Sequence, residues 1–529
     1  MNNAISSDPL FERIRLSRII SVLLIAVMLL FVGCDGNIDT PLKSNTSSIA
    51  GASSTDNSNS SKDSVFSSEE ISSSENDKSA DRNFVQQTVI DPLTGKYSYE
   101  YNNVNTAENK EIIPTGNTAN LSNPLNGYFD DEADELRNKI VNAKNTEENY
   151  RITGRKFYVS ANGDDSNSGL SPEEAIKSID AVSGLGVAAG DAILFERGSV
   201  FRMYTTLLAE EGVIYGSYGM GDKPKIYASP MNFANAVWTP SRKKNVWQVD
   251  WVYSDAGSMI FEHGKEIGCR KTSMRNLEKN TDFFQDDSTK KMYLYCDKGN
   301  PANVYKSIEV GVRMSMILIA GGADDTVVID NLCLKYGGVH GIVTNSKGQN
   351  IIVTNCELGY IGGCTTGGGG RYGNAIQFWN EGKNILIKNN WIYQTFDTAF
   401  SWQGYGGEGY KYEDITVANN LFEYNNTDIE FWGGDGAEVI NFDLSDNILR
   451  FTCLGWGTRA DDGGFRGYEG AISGSSTDNL KIDNITVKNN IFDCQGSRVI
   501  GWSIIPETKH TEIIVSGSKI YANSSYRLS

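Results

Sequence analysis

The sequence predicts an all-β chain, a right-handed parallel β-helix with an N-terminal capping helix, preceded by a signal peptide and a disordered linker. Three observations carry that reading. First, seven segments of the second half align without gaps: "VVIDNLCL" from Val327, "IIVTNCEL" from Ile351, "ILIKNNWI" from Ile385, "ITVANNLF" from Ile415, "FDLSDNIL" from Phe442, "ITVKNNIF" from Ile485 and "IIVSGSKI" from Ile513. Second, each alternates apolar and polar residues, the period of a strand, before a turn former at one shared position: Asn331, Asn355, Asn389, Asn419, Asp446, Asn489 and Gly517. Third, successive starts lie 24, 34, 30, 27, 43 and 28 residues apart, the spacing of stacked supersecondary units. A helical solenoid is excluded by the β-branched, Asn- and Gly-rich content. A four-stranded propeller blade does not fit into 24 residues. One coil per repeat remains, with an Asn at the bend that tolerates left-handed backbone and can bond the coils above and below.

Taken in order from the start, the chain opens with "RIRLSRIISVLLIAVMLLFVGCDG", a basic flank and an apolar core too short for a comfortable membrane span. Its end, "FVGC", resembles a bacterial lipobox. That resemblance implies cleavage after residue 33, lipid attachment to Cys34 and hence a membrane-anchored, exported protein at the bacterial cell surface. The alternative is an uncleaved signal anchor with an incidental cysteine. Residues 34–83 are rich in Ser, Asn and Asp, with too few apolar side chains to offset chain entropy, and read as a flexible tether. An extension over 84–154 holds one helix, near 131–145, placed on the outside of the fold. The net charge of −18 argues against nucleic acid as a partner. The eight cysteines show neither CxxC pairs nor a disulfide framework, and no metal site follows from them.

The β-helix domain is set at 155–529. "RKFYVSANGDDSNSGLSPEEAIKSIDAV" gives a strand at 157–160, a turn-rich loop and then a helix with Ser171 as N-cap, Pro172 at its first position and Glu174 closing a capping box. Such a helix would cover the open end of the stack, where strand edges are unpaired. "AILFERG", "GVIYGSYG" and "PKIYAS" read as the first coils. From about 238 to 308 the repeat is lost, and a hairpin-rich excursion is expected.

After each Asn turn a further strand follows: "GIVTN", "AIQFW", "AFSWQ", "DIEFW" and "AISGS". In register, Ile342, Ile376, Phe400, Ile429 and Ile472 form one inward column, so the flanking columns point outward. One holds Val343, Gln377, Ser401, Glu430 and Ser473. Another holds Gly341, Ala375, Ala399, Asp428 and Ala471, and a third Trp379, Gln403 and Trp432. Asp397 joins from the preceding coil, about 8 Å from Asp428 and about 14 Å from Glu430 by strand geometry. Paired carboxylates are what glycosidic hydrolysis requires, one as acid and one as nucleophile or base. We therefore take Asp397, Glu430 and Asp428 as candidate catalytic groups. Trp379 and Trp432, with Gln377 and Gln403, are candidate sugar contacts, since exposed indole faces suit sugar rings. Two insertions, 364–373 and 455–470, enter just before this strand and would wall a cleft. They bring Arg371, Tyr372, Arg466 and Glu469, while His340 lies at the same rim. Each of these also has a plainer reading, as a solvated surface charge, a strand cap or a satisfied rim residue.

The run "RYGNAIQFWNEGKNILIKNNWIYQTFDTAFSWQG…NNTDIEFW" resembles lipid-anchored right-handed parallel β-helix, pectate-lyase-like, carbohydrate-active proteins. These include glycoside hydrolases of xylanase and α-L-fucosidase type and uronate-cleaving polysaccharide lyases. The resemblance implies a surface-anchored glycoside hydrolase acting on a plant or algal cell-wall polysaccharide, with outward acids on neighbouring rungs at Asp397 and Glu430. Related sequences often carry an acid where this chain has Gln377. Two other classes stay open. A polysaccharide lyase would need a cation, Ca²⁺ for instance, and a basic residue to take the C5 proton; otherwise no cofactor is expected. A non-catalytic glycan-binding or adhesive lipoprotein would need only the tryptophans.

Overall fold

A computed structural model describes residues 85–87, 99–100, 129–319, 324–344, 346–366, 370–404, 410–433, 436–458, 470–476, 481–494, 500–502 and 513–522. The leader, Cys34 and the tether lie outside the described residues, as do Arg466 and Glu469. The chain is a parallel β-helix. Three long sheets run along the stack, of ten, eleven and eight strands. Every strand pair within them is parallel except two pairings at one end of the second.

The first sheet contains the seven repeat segments in the predicted register. Val327, Ile351, Ile385, Ile415, Phe442, Ile485 and Ile513 are successive partners across its strands. The third sheet is the predicted second strand of each coil. Ile342, Ile376, Phe400, Ile429 and Ile472 are likewise in register, and all five are fully buried.

One element is additional to the reading of the sequence. The last two residues of each segment with the one that follows, as in "CLK" or "LFE", do not continue the strand before them. They form a second sheet of their own, among its strands Cys333–Lys335, Glu357–Ile361, Trp391–Thr395, Leu421–Glu423 and Ile448–Arg450. A coil is therefore three strands, not two.

Two consecutive residues share the work at the bend between first and second sheets. Asn331, Asn355, Asn389, Asn419, Asp446 and Asn489 have φ between 53° and 57°, the left-handed backbone that Asn accepts more readily than other side chains. The inter-coil bonding belongs to the next residue. The backbone N–H of Asn390 donates to Asn420 Oδ1, that of Asn420 to Asn447 Oδ1 and that of Asn447 to Asn490 Oδ1, each at 2.9 Å. The side-chain amides repeat those bonds at 3.0 Å and also reach carbonyls of the first sheet. All four ladder residues are fully buried, so the ladder satisfies polar groups that water does not reach.

Inside the coils lies one continuous core of Ile, Val, Leu and aromatic side chains, from Phe157 to Phe492. At its N-terminal end the expected capping helix is broken in two. Ser171 does cap the turn Pro172–Glu174, but Ala175 is extended and Ile176 bridges to Val159. A second short helix, Ile179–Val182, begins at a new cap, Ser178. The strand edge at Val159 offers Ile176 both a pairing partner and a buried site, which outweighs the helical continuation. The excursion near 238–308 is hairpin-rich, as expected. It forms a largely antiparallel five-stranded sheet and a three-stranded one around their own core of Phe233, Trp238, Trp251, Phe283 and Leu294.

The extension before the β-helix lies along its outside. Its helix spans Asp130–Val141 and packs Ala133 and Ile140 on Leu421 and Ile448 of the second sheet. Arg137 bonds Glu423 at 2.7 Å, while Asp130 pairs with Arg450. Further along, Thr146 donates to the buried Asp330 at 2.8 Å. The strand Val85–Gln87 pairs antiparallel with Lys519–Ala522, so the last strand of the second sheet has a neighbour on its outer edge.

Candidate functional site

In the strand Thr427–Gly433 the side chains of Ile429 and Phe431 enter the core. Strand alternation then turns Glu430 and Trp432 outward. Glu430 has Ser401 as its partner on one side and Ser473 on the other, with Gln377 one coil further on. The adjacent outward column runs Trp379, Gln403, Trp432 in register. Both tryptophans are half-buried, as is Gln403, whereas Trp402 between them in sequence faces the core.

Glu430 is held rather than loose. Its Oε2 accepts the Ser401 hydroxyl at 2.6 Å and the Gln403 side-chain amide at 2.7 Å. Its exposure is only 8%. A carboxylate presented by two donors from the preceding coil, beside an outward column that carries two indoles, is a pre-oriented group. Gln377, which occupies the acid's column two coils away, accepts from the Asn374 amide at 2.8 Å.

Asp397 lies at the bend from the second to the third sheet, 8% exposed. Its backbone is stitched to both neighbouring coils: its N–H donates to Gly373 O at 3.1 Å, and its carbonyl accepts from Thr427 N at 3.1 Å. A Cβ on Gly373 would stand 2.7 Å from Asp397 N, so only glycine lets these bends stack so closely. Four residues along the strand and one coil step separate Asp397 from Glu430, about 14 Å between backbones.

Asp428 departs from the outward placement expected of it. It is fully buried, in the corner between second and third sheets, where Asn425 donates to its Oδ1 at 2.9 Å and the Thr452 hydroxyl to its Oδ2. Burial pushes its carboxyl up to about 7, against the lowering effect of those two donors. The alternation that predicts an outward side chain holds within a strand but fails at its first residues, where the chain is still turning. Asp428 staples the corner and does not face the sheet surface.

Arg371 is another correction. It does not present its guanidinium to the cleft. Nε donates to Gly363 O at 2.7 Å and Nη2 to Gly257 O at 3.0 Å, and the group lies 4.1 Å from the Phe396 ring centre. The side chain ties the insertion to the coils, a role that nothing in the local sequence signals. The neighbouring Tyr372 does stand at the rim, half-buried, with His340 against it edge to face at 5.5 Å. His340 Nδ1 accepts from the Asn374 backbone N–H at 3.3 Å. A residue absent from the sequence reading joins them: Arg313, whose guanidinium carbon lies 5.6 Å from the centre of the Tyr372 ring. It sits where the excursion returns to the stack, and its place at the rim depends on a register that the repeat does not reach.

No protein-family profile matches the chain, and no curated protein sequence does. Among solved structures it is similar to XylC in complex with xylose, at 12% identity over 66% of this chain and 69% of that one, with a TM-score of 0.39. It is similar also to a glycoside hydrolase, at 8% identity over 70% and 97% with a TM-score of 0.41, and to the pectate lyase Pel9A, at 12% over 70% and 79% with a TM-score of 0.32. At such identities and scores none of these assigns a reaction. The β-helix is established by the chain's own three parallel sheets.

Proposed function

We propose that the outward face of the third sheet binds a glycan chain and hydrolyses its glycosidic bonds, with Glu430 and Asp397 as the two carboxylates. The observation that carries this reading is the setting of Glu430: an outward acid, oriented by Ser401 and Gln403, in a sheet face that also presents Trp379 and Trp432. Indoles in this position offer flat apolar surfaces to sugar rings. Two such carboxylates can serve as acid and base for a water, or as acid and nucleophile. In the inverting scheme one carboxylic acid protonates the leaving oxygen while the other, as base, activates that water. Cleavage of a plant or algal cell-wall polysaccharide by an exported protein anchored through Cys34 is part of the same proposal.

The test is incubation with a panel of such polysaccharides and mass analysis of the products. New saturated reducing ends that vanish in Asp397→Asn and Glu430→Gln support hydrolysis by this pair. Unsaturated ends would mean a lyase, and tight binding without products would mean an adhesive protein.

A further inference from the structure

The rim beside the proposed site holds a cation with no carboxylate of its own. Arg313 is half-buried, and its Nη1 donates to the Thr365 carbonyl at 2.8 Å, which sets the direction of the guanidinium plane. Tyr372 lies against that guanidinium, and His340 lies against Tyr372. Asp255, whose backbone carbonyl accepts from the Arg313 N–H at 3.0 Å, has a carboxylate that is already matched. It pairs with Arg270 at 2.5 Å and accepts the Thr365 N–H and hydroxyl at 2.6 and 2.8 Å. Although burial works against it, Arg270 and those donors hold the Asp255 carboxyl below its usual range, so it stays an anion satisfied by others. Among the described residues Arg137, Arg155, Arg202, Arg270 and Arg450 form ion pairs; Arg313, like Arg151, Arg197, Arg242 and Arg275, forms none, but it is the one of these five that lies against Tyr372 at this rim.

Its place relative to the acids follows from the backbone bonds. Val339 donates to Met314, Gly341 to Asn374 and Asp397 to Gly373, so the rim climbs from 313–314 through 339–340 and 373–374 to 397. Three coil steps separate Arg313 from Asp397, roughly 14 Å along the stack axis. That is the direction in which a chain lying across the rungs would extend. In a protein with net charge −18, an unmatched guanidinium held over an aromatic ring beside an open face selects for negative charge.

We infer that Arg313, backed by Tyr372 and His340, is a subsite for an anionic sugar substituent, a carboxylate or a sulfate ester, on a unit of the glycan several rungs from the cleaved bond. The inference rests on the proposed glycan-binding face and names the class of glycan it takes. The planar guanidinium fork presents paired N–H donors to either oxyanion.

Binding is measured by calorimetry on the full chain in detergent with three probes: an oligogalacturonide, its carboxyl-reduced counterpart and a sulfated oligosaccharide. The expected result is a preference for one or both charged probes over the reduced one. Arg313→Gln should lower that preference about tenfold and leave affinity for the reduced probe unchanged, because it removes one charge-assisted contact. Arg313→Lys should retain part of it, and rising salt should erode it in the parent and in Arg313→Lys but not in Arg313→Gln. Of the charged probes, the one that loses affinity in Arg313→Gln identifies the substituent. Equal affinity for charged and reduced probes, or a preference that survives Arg313→Gln, overturns the subsite while leaving the glycan face intact. Failure of the parent chain to bind any glycan overturns both.

Discussion

The Ser401 hydroxyl donates to Glu430 Oε2 at 2.6 Å across one coil step, so the orientation of the acid is set by the rung before it. Ser401→Ala should therefore lower kcat more than it raises KM, since the missing bond orients the acid rather than the sugar. A fall of about tenfold is expected for the loss of one charge-assisted hydrogen bond. Glu430→Gln should cost about two to four orders of magnitude, the usual worth of a general acid or base. Steady-state kinetics on one defined oligosaccharide compares the two, and an unchanged rate in Glu430→Gln removes this residue from the reaction.

Trp379 and Trp432 flank Gln403 in one outward column. Replacing either by Ala should weaken glycan binding by roughly 0.5–1.5 kcal/mol, the increment typical of aromatic contacts beyond area burial. Affinity electrophoresis in the presence of soluble polysaccharide reads this directly. Mobility identical to the parent in both variants would place the sugar elsewhere.

Asp428 makes a prediction about stability rather than rate. Burial disfavours the anion and pushes its folded carboxyl up to about 7, from the 3.8 of an ordinary aspartate. Between those two values the folded state holds the proton that the unfolded state has released. Its contribution to stability therefore falls as pH rises from about 4 to about 7 and is constant beyond. Asp428→Asn keeps the shape and removes the titration. Relative to the parent, the variant should gain stability over that window, by at most about 4 kcal/mol. Urea midpoints at pH 4.5 and 8 measure it. An equal difference between the two proteins at both values would show that Asp428 does not titrate there.

The bend predicts a contrast between neighbours. Asn419→Gly keeps the left-handed backbone, at φ 54°, and should change stability by less than about 1 kcal/mol. Asn420→Gly strips a fully buried ladder and leaves the N–H groups of Asn390 without their acceptor, which should cost roughly 3–5 kcal/mol. Equal effects would mean the two positions do not divide the work.

If the proposed anchor at Cys34 holds, the expressed chain partitions with membranes and incorporates labelled fatty acid, and Cys34→Ala abolishes both. Labelling that persists in Cys34→Ala would locate the lipid elsewhere.

The sequence made most of the fold legible because strand alternation and the Asn bends recur at every coil. Alternation alone places the columns through Ile351 and Ile376 residue by residue. What escaped it were features set by the third dimension. The second sheet was hidden because its short strands follow the bend directly and look like the tail of the strand before. The capping helix is broken because the strand edge at Val159 competes for Ile176 more strongly than local propensity holds it. In the site, the outward columns of Glu430, Gln403 and Trp432 were readable from alternation alone. Asp428 and Arg371 were not, since their direction depends on corner packing and on carbonyls of a distant excursion.

The most direct test of the third-sheet face as a hydrolytic glycan site is mass-resolved product analysis of the parent, Asp397→Asn and Glu430→Gln on one polysaccharide that the parent degrades. Saturated oligosaccharides with new reducing ends are expected from the parent and none from either variant, with binding retained in both. Undiminished product from the two variants, or unsaturated products from the parent, would contradict it.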